Sequence, residues 1–315
     1  MLMKKRKPTG SEVGTAEAFR VGMNPNTKET VLITGASSGI GYELAREFAK
    51  HGHNLVIVAP VEPELRDVAS RLSAEYGVHV KPIAEDLRRE SAADDIFAQV
   101  AASGLSVQIL VNNAGLGHRG QFWEIPLEDD ISMIRLNIEA GVRLTKRFLP
   151  AMLSHKRGRI LNTASIAGFE PGPLLSVYHA TKAFMLSWSE ALATELEDTG
   201  VTLTVLCPGP VDTEFFEKAG MVDTHAFQDA RVMAPQEVAA AAYKSVMAGE
   251  RVVVPGLANK VKVLGHRLMP ESAQAKLNAK LYAETDPASR KRQPGEIASH
   301  AEAESEEHAE PVAKR

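Results

Sequence analysis

Short apolar runs alternate with longer amphipathic stretches through most of the chain, from Thr30 to Val254. The runs are rich in Val, Ile and Leu, which is typical of strands buried on both faces of a parallel sheet. Seven strands are predicted near residues 31–33, 55–58, 78–83, 107–111, 159–163, 201–206 and 251–254. Because right-handed crossovers place the intervening helices on both faces, we predict an α/β fold with a doubly wound parallel β-sheet.

The intervening stretches carry apolar residues at helical spacing, as at Ile40, Leu44 and Phe48. Helices are predicted over residues 40–51, 62–76, 91–102, 127–154 and 180–196, and after Pro235. Proline at the first turn of a helix is harmless, because the N–H group that it lacks would have no partner there. This pattern predicts one domain over residues 29–256.

The two ends of the chain differ in composition from this domain. Residues 1–28 lack apolar periodicity, and residues 284–315 are rich in Ala, Glu, Ser, His and Lys. Both segments are expected to be disordered tails, and the second is expected to have no function. Residues 257–283 are predicted to form a basic, amphipathic helical extension. We expect it to cover the edge of the core or to join an interface, rather than to lie on a membrane surface.

The composition also excludes several classes of function. A net charge of −4 provides no field that would recruit nucleic acid, and no apolar run reaches the ~18 residues of a membrane-spanning helix. The histidines lack the spacing of a metal site, so no metal is predicted. The single cysteine, Cys207, cannot form an intrachain disulfide. This suits a reducing compartment, and a cytoplasmic protein is predicted.

A glycine-rich turn, Thr-Gly-Ala-Ser-Ser-Gly-Ile-Gly, joins the first predicted strand to the first helix at residues 34–41. Its glycines allow a tight turn and a close approach of the backbone to a ligand. The start of a helix presents unpaired N–H groups and the positive end of the helix dipole, which suit an anion such as a pyrophosphate. A dinucleotide site and a purely structural turn are both compatible with this motif alone.

Tyr178 and Lys182 are four residues apart at the start of a predicted helix, so their side chains lie on one face. An ammonium beside a phenol favours the phenolate and lowers its pKa toward working pH. The pair would then donate and accept protons as a general acid and base. By itself, this spacing is also common in helices without any catalytic role.

Six such elements, taken in order, resemble the short-chain dehydrogenase/reductase family over residues 30–256. They are the turn at residues 34–41, Asn112–Gly115 after the fourth strand, Asn137 in the long helix, Ser165 after the fifth strand, Tyr178 with Lys182, and Pro208-Gly209 after the sixth strand. The resemblance implies a Rossmann-type catalytic domain and an NAD(P)(H)-dependent oxidoreductase, in which the cofactor supplies a hydride.

The family's catalytic roles fall on four residues of this sequence. By resemblance, Tyr178 exchanges a proton with the substrate oxygen and Ser165 holds that oxygen. Lys182 lowers the pKa of Tyr178 and binds the nicotinamide ribose, and Asn137 positions a water that links Lys182 to solvent. Asn137 could instead satisfy a local irregularity of the helix.

The resemblance also implies the residues that contact the cofactor. They are Gly35, Ser37, Ser38, Gly39, Ile40, Gly41, Asp86, Leu87, Asn113, Ala114, Gly115, Tyr178, Lys182, Pro208, Gly209, Val211 and Thr213. Asp86 would meet the adenine amine, although a helix N-cap is an equal alternative. Thr213 would touch the carboxamide.

The choice between the two cofactors is normally determined at the end of the second strand, where an acid favours NAD(H) and an arginine favours NADP(H). This position holds Pro60, which is neither. With no carboxylate to repel a 2′-phosphate, we expect a modest preference for NADP(H) over NAD(H), helped by Arg66 or Ser38. Glu62 could reach the ribose, but it is expected to start the next helix.

The substrate pocket is predicted to form from residues 116–122, 166–176 and 214–227, which are mainly apolar. We therefore expect a mainly apolar carbonyl or alcohol, such as an acyl chain, a steroid-like ring or a xenobiotic. Two other functions are weighed: a non-catalytic dinucleotide sensor or scaffold, and a sugar-nucleotide epimerase. The Ser-Tyr-Lys set disfavours the sensor, and the chain lacks the larger substrate domain that an epimerase needs.

A homodimer or homotetramer is also expected. The predicted helices at residues 127–154 and 178–197 resemble the pair through which this family associates. Apolar residues predicted to face outward from them include Ile131, Ile134, Met185 and Trp188.

Overall fold

A computed structural model describes residues 28–266, 268–297 and 299. Its centre is a seven-stranded sheet in which every strand runs parallel to its neighbours. The strands are β1 (Thr30–Thr34), β2 (Asn54–Ala59), β3 (Val80–Ala84), β4 (Val107–Asn112), β5 (Gly158–Thr163), β6 (Val201–Leu206) and β7 (Val252–Val253). Their spatial order is β3-β2-β1-β4-β5-β6-β7, so the predicted doubly wound parallel sheet is confirmed.

Helices cover both faces of the sheet. They are α1 (Gly39–Lys50), α2 (Glu62–Tyr76), α3 (Ala92–Ala102), α4 (Leu127–Ile134), α5 (Ala140–His155), α6 (Ser176–Glu195), α7 (Phe215–Lys218), α8 (His225–Gln228), α9 (Pro235–Ala248), α10 (Leu257–His266) and α11 (Glu271–Leu281). Within β1, Ile33 packs toward α1, α2 and α9, whereas Leu32 packs toward α3, α5 and α6. This alternation explains why Val31, Leu32 and Ile33 are all apolar, although they face opposite sides of the sheet.

The chain order reverses direction in the sheet between β1 and β4, which are neighbours in space. The helices that follow these two strands lie on opposite faces of the sheet, so a crevice forms outside the carboxyl ends of the strands. The glycine-rich turn follows β1, and Asn113 follows β4. The fold thus brings the glycine-rich turn and the loop that begins at Asn113 to one edge of the sheet.

The long helix that we predicted at residues 127–154 is interrupted. A π-helical segment, Arg135–Glu139, separates α4 from α5 and contains the buried Asn137. A π turn inserts one extra residue and redirects a side chain, and such turns are frequent at functional sites. The side chain of Asn137 uses this turn to reach the backbone of Leu116.

The chain after β7 differs from the prediction in two ways. The extension is two helices, α10 and α11, and Pro270 precedes the second of them. The segment from Glu284, which we predicted to be disordered, follows the core up to residue 297. The buried carboxylate of Asp212 accepts hydrogen bonds from the backbone N–H groups of Gly295 and Ile297, at 2.9 and 2.8 Å. The segment has few apolar residues; Ile297 packs against the core, and buried polar groups of the domain bind its backbone.

The rest of both predicted tails lies outside the described residues. Within the described ranges, none of the helices combines the length and the apolar character needed to cross a bilayer. In the same ranges, no group of three or more His, Cys, Asp or Glu side chains is placed to hold a metal ion.

Candidate active site

A cleft of about 580 Å³ lies at the carboxyl edge of the sheet. Its walls include Ser165, Tyr178 and Lys182 from the predicted catalytic set. The same walls include every residue predicted to contact a cofactor: Gly35, Ser37, Ser38, Gly39, Ile40, Gly41, Asp86, Leu87, Asn113, Ala114, Gly115, Pro208, Gly209, Val211 and Thr213. Residues distributed over 179 positions of sequence therefore share one cavity. Asn137 lies just outside it and lines a small adjoining cavity.

The glycine-rich turn is packed too tightly for side chains. A Cβ atom on Gly41 would lie 1.9 Å from the carbonyl oxygen of Gly35, and Gly35 and Gly39 both have positive φ angles. The side chain of Ser38, at the N-cap of α1, makes no capping hydrogen bond. The first N–H groups of α1 are therefore directed to the cleft without a side-chain partner, which fits the binding of a pyrophosphate.

Thr34 and Asn113 lock the two loops of the crevice together. The hydroxyl of Thr34 accepts hydrogen bonds from the backbone N–H groups of Asn113 and Ala114, at 2.9 and 3.0 Å. The Asn113 amide donates to the carbonyl oxygen of Thr34 at 3.1 Å. Because these three hydrogen bonds join the loops after β1 and β4, the floor of the cleft is fixed before any ligand enters.

Asp86 lies at the far end of the cleft and is bound by Arg88. The Asp86 carboxylate accepts two-pronged hydrogen bonds from the Arg88 guanidinium, at 2.9 and 2.7 Å, and one from the Arg88 backbone N–H at 3.0 Å. The Arg88 hydrogen bonds lower the pKa of Asp86. Asp86 closes this turn but does not cap α3, whose N-cap is Ser91. Asp86 still lines the cleft.

Lys182 is buried one helical turn from Tyr178, as the spacing predicted. Its Nζ donates to the carbonyl oxygen of Thr163 at 3.0 Å and lies 5.7 Å from the centroid of the Tyr178 ring. A Cβ atom on Gly115 would lie 3.3 Å from the same Nζ, so the ammonium borders the cleft wall. Ser165 follows β5, and its hydroxyl hydrogen-bonds with the Tyr178 side chain.

The protonation of this pair differs from the expectation. Burial raises the pKa of Tyr178 to about 12, and the hydrogen bond with Ser165 opposes the rise. Burial also lowers the pKa of Lys182 to about 8. The predicted lowering of the Tyr178 pKa by Lys182 is absent, because the loss of solvation outweighs an ammonium that is directed at the Thr163 carbonyl. Tyr178 is thus a phenol at neutral pH and is ready to donate a proton.

Asn137 connects three elements at the base of the cleft. Its Oδ1 accepts from the Leu116 backbone N–H, and its Nδ2 donates to the Leu116 carbonyl oxygen, both at 2.9 Å. Nδ2 also donates to the Thr181 hydroxyl at 3.0 Å. A Cβ atom on Gly115 would lie 3.3 Å from Asn137 Oδ1, the same distance as from Lys182 Nζ. Asn137 therefore holds the loop after β4 against the helix that carries Tyr178.

The end of the cleft near Pro60 holds a different cation from the one expected. The Arg66 guanidinium is exposed and pairs with Glu62 at 2.6 Å, and neither residue lines the cleft. Arg88 does line it, together with Pro60, Val61 and Glu64. The sequence offered no reason to predict Arg88 as a cofactor contact, because Arg88 follows Asp86-Leu87 and not the end of the second strand.

The C-terminal extension forms a wall that the sequence did not predict. Lys262 of α10, Leu281 at the end of α11, and Tyr282 all line the cleft. Lys262 pairs with the buried Glu170 at 3.2 Å. The predicted segments at residues 116–122, 166–176 and 214–227 also contribute, through Leu116, Ile166, Leu175, Phe215, Phe216 and Met221 among others. The basic amphipathic pattern of the extension indicated that it packs against the domain. The pattern did not indicate that it packs at the cleft.

His179 joins this wall to α6, the helix that carries Tyr178. Its Nδ1 lies 2.7 Å from the Glu170 carbonyl oxygen, which can only accept, so Nδ1 carries the proton. Nε2 therefore accepts from the Tyr282 hydroxyl at 2.9 Å. Burial lowers the pKa of His179, which keeps the ring neutral. Gly172 provides space for the imidazole, since a Cβ there would lie 2.1 Å from the ring.

Comparison with known proteins identifies the family of this chain. A family model described as short chain dehydrogenase matches residues 29–223. The chain belongs to the short-chain dehydrogenase family. A short-chain dehydrogenase from Sphingobium yanoikuyae, solved with NADPH, is 33% identical to it, with a TM-score of 0.69 over 82% of this chain and 99% of that one. A 7β-hydroxysteroid dehydrogenase is 27% identical, with a TM-score of 0.73 over 80% and 96%.

Curated relatives of this short-chain dehydrogenase include reductases of oxoacyl compounds. A very-long-chain 3-oxoacyl-CoA reductase from Phaeosphaeria nodorum is 41% identical over 54% of this chain and 51% of its own length. The ketoacyl reductase HetN from a Nostoc species is 34% identical over 76% and 78%. The match thus spans about half the length of the fungal relative.

Proposed function

We propose that this short-chain dehydrogenase interconverts a mainly apolar carbonyl compound and its alcohol by hydride transfer. The observation that carries the proposal is the convergence of Ser165, Tyr178 and Lys182 on one cleft with the glycine-rich turn. The cofactor, when bound, supplies or accepts the hydride. The chain itself supplies position, a proton and an environment for the charge that develops on oxygen.

Tyr178 is the proposed proton donor in the direction of reduction. Its pKa of about 12 keeps the phenol protonated at neutral pH, as a general acid requires. Ser165 hydrogen-bonds with Tyr178, so both hydroxyls can reach one substrate oxygen. Their two hydrogen bonds would strengthen as negative charge grows on that oxygen. In the direction of oxidation, Tyr178 acts in its deprotonated form: the tyrosinate accepts the hydroxyl proton of the alcohol.

Lys182 is proposed to bind the nicotinamide ribose and to stabilise the tyrosinate once the proton has left. The support is its place between the Thr163 carbonyl and Gly115, at the wall of the cleft. The fixed frame of Asn137 and Thr181 holds the helix around it. We retain the proposal that Asn137 positions a water toward Lys182, because the two residues face Gly115 at equal distance.

We propose NADP(H) as the preferred cofactor, with a modest margin over NAD(H). The Sphingobium relative was solved with NADPH, and no carboxylate stands at Pro60 to repel a 2′-phosphate. Arg88 replaces Arg66 as the arginine proposed to favour NADP(H), since of the two only Arg88 lines the cleft near Pro60. Its guanidinium already pairs with Asp86, which limits the strength of any new phosphate contact.

We propose a 3-oxoacyl thioester, or a ketone of similar bulk, as the substrate class. Apolar walls from Leu175, Phe215 and Met221 suit an acyl chain. The names of the fungal and cyanobacterial relatives point to the same class. Lys262 adds one cation at the wall, which suits the polar end of such a molecule.

We also propose a cytoplasmic homo-oligomer that associates through α4 and α6. Leu127, Ile131 and Ile134 on α4 and Phe184 on α6 are exposed large apolar side chains. Two of the residues first expected there are placed differently: Met185 is buried in the core and Trp188 is partly buried against it. The exposed row on α4 and Phe184 is what supports association on this side.

The direct test is turnover by the purified chain with a panel of carbonyl compounds. The panel contains 3-oxoacyl thioesters of several lengths, bulky ketones and oxosteroids, each with NADPH and with NADH. We expect the natural protein to reduce at least one class, which is followed as the loss of reduced nicotinamide. The Tyr178→Phe variant should reduce none of them. Binding of cofactor without any turnover across the panel would instead favour the dinucleotide sensor.

A further inference from the structure

Helix α10 carries an apolar stripe on the face that points away from the protein. Leu257, Val261, Leu264 and Leu268 are 77%, 63%, 64% and 86% exposed. Their spacing of four, three and four residues puts them in one row along the helix and its C-terminal end. The opposite side of the helix is already buried through Val263. Within the described part of the chain, the exposed row is therefore additional to the packing of α10.

The segment that carries this stripe is basic in sequence. Residues 257–282 contain five basic residues (Lys260, Lys262, Arg267, Lys276 and Lys280) and one acidic residue, Glu271, which gives a net charge of +4. The whole chain has a net charge of −4. Lys260, Lys276 and Lys280 are exposed on α10 and α11. Cationic side chains beside exposed Leu and Val residues are the pattern of a helix that lies in the surface of an anionic bilayer.

A second exposed apolar group is anchored to the same wall. Phe122 and Trp123 are 63% and 78% exposed, in the turn that precedes α4. Arg119, in the same segment, donates to the backbone carbonyl of Tyr282 at 2.8 Å and pairs with Glu284. The turn is thus fixed to the end of α11. Tryptophan is favoured at the interface between lipid and water, because its ring is apolar and its N–H is polar.

We propose that α10, with the aromatic turn at residues 122–123, docks this protein on the surface of an anionic lipid bilayer. A second copy of the chain is the less suitable occupant. A two-fold interface would place each stripe against its own counterpart and would bring Lys260 and its basic neighbours together across the contact. An anionic surface instead attracts the same charges while the stripe enters the acyl boundary.

Docking on this side would bring the cleft wall formed by α10 and α11 next to the lipid. Lys262 of α10, and Leu281 and Tyr282 at the end of α11, line the cleft. An apolar substrate dissolved in the bilayer would then reach the site without crossing water. This consequence rests on the proposed function, whereas docking itself does not.

The test measures binding of the whole protein to vesicles, without substrate or cofactor. Vesicles of phosphatidylcholine alone are compared with vesicles of phosphatidylcholine and phosphatidylserine, by co-sedimentation at low and high salt. We expect binding to the second kind at low salt and weaker binding at high salt. The pair of substitutions Val261→Ser and Leu264→Ser should lower the partition coefficient about tenfold or more.

Matched variants distinguish vesicle binding through this surface from nonspecific binding through other exposed apolar residues. Leu264→Ser alone is compared with Leu153→Ser, which removes an exposed leucine from α5. Only the first should weaken binding, and Lys260→Glu with Lys276→Glu should weaken it for anionic vesicles. Sedimentation velocity in the absence of lipid gives the oligomeric state of each variant.

Three results would each overturn the proposal. The first is a natural protein that stays in the supernatant with both kinds of vesicle. The second is equal binding by the Val261→Ser/Leu264→Ser protein. The third is a smaller oligomer in that variant, which would identify the stripe as a contact between copies. Because no turnover is measured, a failure of the reductase proposal leaves these results unaffected, and the reverse also holds.

Discussion

The Tyr282 hydroxyl donates a hydrogen bond to His179 Nε2 over 2.9 Å, although the two residues are 103 positions apart. His179 directly follows Tyr178, the proposed proton donor, and Tyr282 is part of the cleft wall. One buried hydrogen bond therefore ties α6 to the C-terminal extension. The chain beyond the seventh strand forms part of the cleft wall, and we expect its position to shape the end of the cleft proposed for the substrate.

Tyr282→Phe should raise KM for the substrate severalfold with little change in kcat. The ring remains in the wall, but the buried Nε2 of His179 loses its donor, which should cost about 1–3 kcal/mol of unfolding free energy. Steady-state kinetics and denaturant unfolding test this. Tyr76→Phe is the control: its hydroxyl also has a partner, Arg46, but it lies outside the cleft. The control should lose stability without a change in KM, and an equal rise in KM would contradict the account.

Gly41→Ala should abolish measurable binding of the cofactor. Its new methyl group would lie 1.9 Å from the Gly35 carbonyl oxygen, so the turn that holds the pyrophosphate must open. Fluorescence titration with NADPH measures the loss. Gly265→Ala is the control, since a Cβ there meets nothing within 4 Å on α10. That variant should bind normally and gain up to about 1 kcal/mol of stability from helix propensity. Normal binding by Gly41→Ala would show that the turn does not hold the cofactor.

The central sheet could be predicted because it depends on local patterns, and the residues of the candidate site followed from the resemblance of six motifs to a known family. Apolar runs fix the strands, and their order places Gly35, Asn113, Ser165 and Pro208 at one edge. The wall formed by Lys262 and the protonation of the catalytic pair could not be predicted in this way. They depend on burial and on contacts between distant segments.

The segment after Glu284 is the clearest failure of composition as a guide. Few of its residues are apolar, which favours disorder. Its order comes from the other side of the contact, where Asp212 is buried and accepts the N–H groups of Gly295 and Ile297. Gln228 does the same for Lys291 and Arg292. The sequence of a segment shows which apolar side chains it can bury. It does not show which buried acceptors elsewhere in the protein will bind its backbone N–H groups.

Lys182→Met should remove a rise in stability between pH 7.5 and 9.5. The folded pKa of Lys182 is about 8, below the value of 10.5 for a free lysine. Below pH 8 the folded protein therefore carries the full cost of the buried charge. As the pH rises, the folded state releases this proton before the unfolded state does, so the group contributes about 2 kcal/mol more stability by pH 9.5.

Unfolding by denaturant at the two pH values gives this contribution as the difference between natural protein and variant. Other groups titrate in both proteins and cancel. Tyr178, whose folded pKa is about 12, affects only the range above pH 10. The same pH dependence in Lys182→Met as in the natural protein would show that Lys182 is not buried as a charged group.

Cofactor preference should be modest and should depend on Arg88. With neither acid nor arginine at Pro60, kcat/KM for NADPH should exceed that for NADH by no more than about a hundredfold. Arg88→Ala should reduce this ratio, whereas Arg66→Ala, which removes an arginine outside the cleft, should not. Pro60→Asp should reverse the preference toward NAD(H). A thousandfold preference of the natural protein for NADH would contradict this, and would show that an acid such as Glu62 or Glu64 binds the ribose.

The central claim is that the Tyr178 hydroxyl transfers the proton, and Tyr178→Phe tests it by removing one oxygen atom. The measurement pairs kcat on the best substrate of the panel with the dissociation constant for NADPH. We expect kcat to fall by about a thousandfold or more while the dissociation constant stays within about twofold, because the ring and the helix packing remain. A variant that keeps a tenth or more of the natural kcat would contradict the account, since another group would then supply the proton.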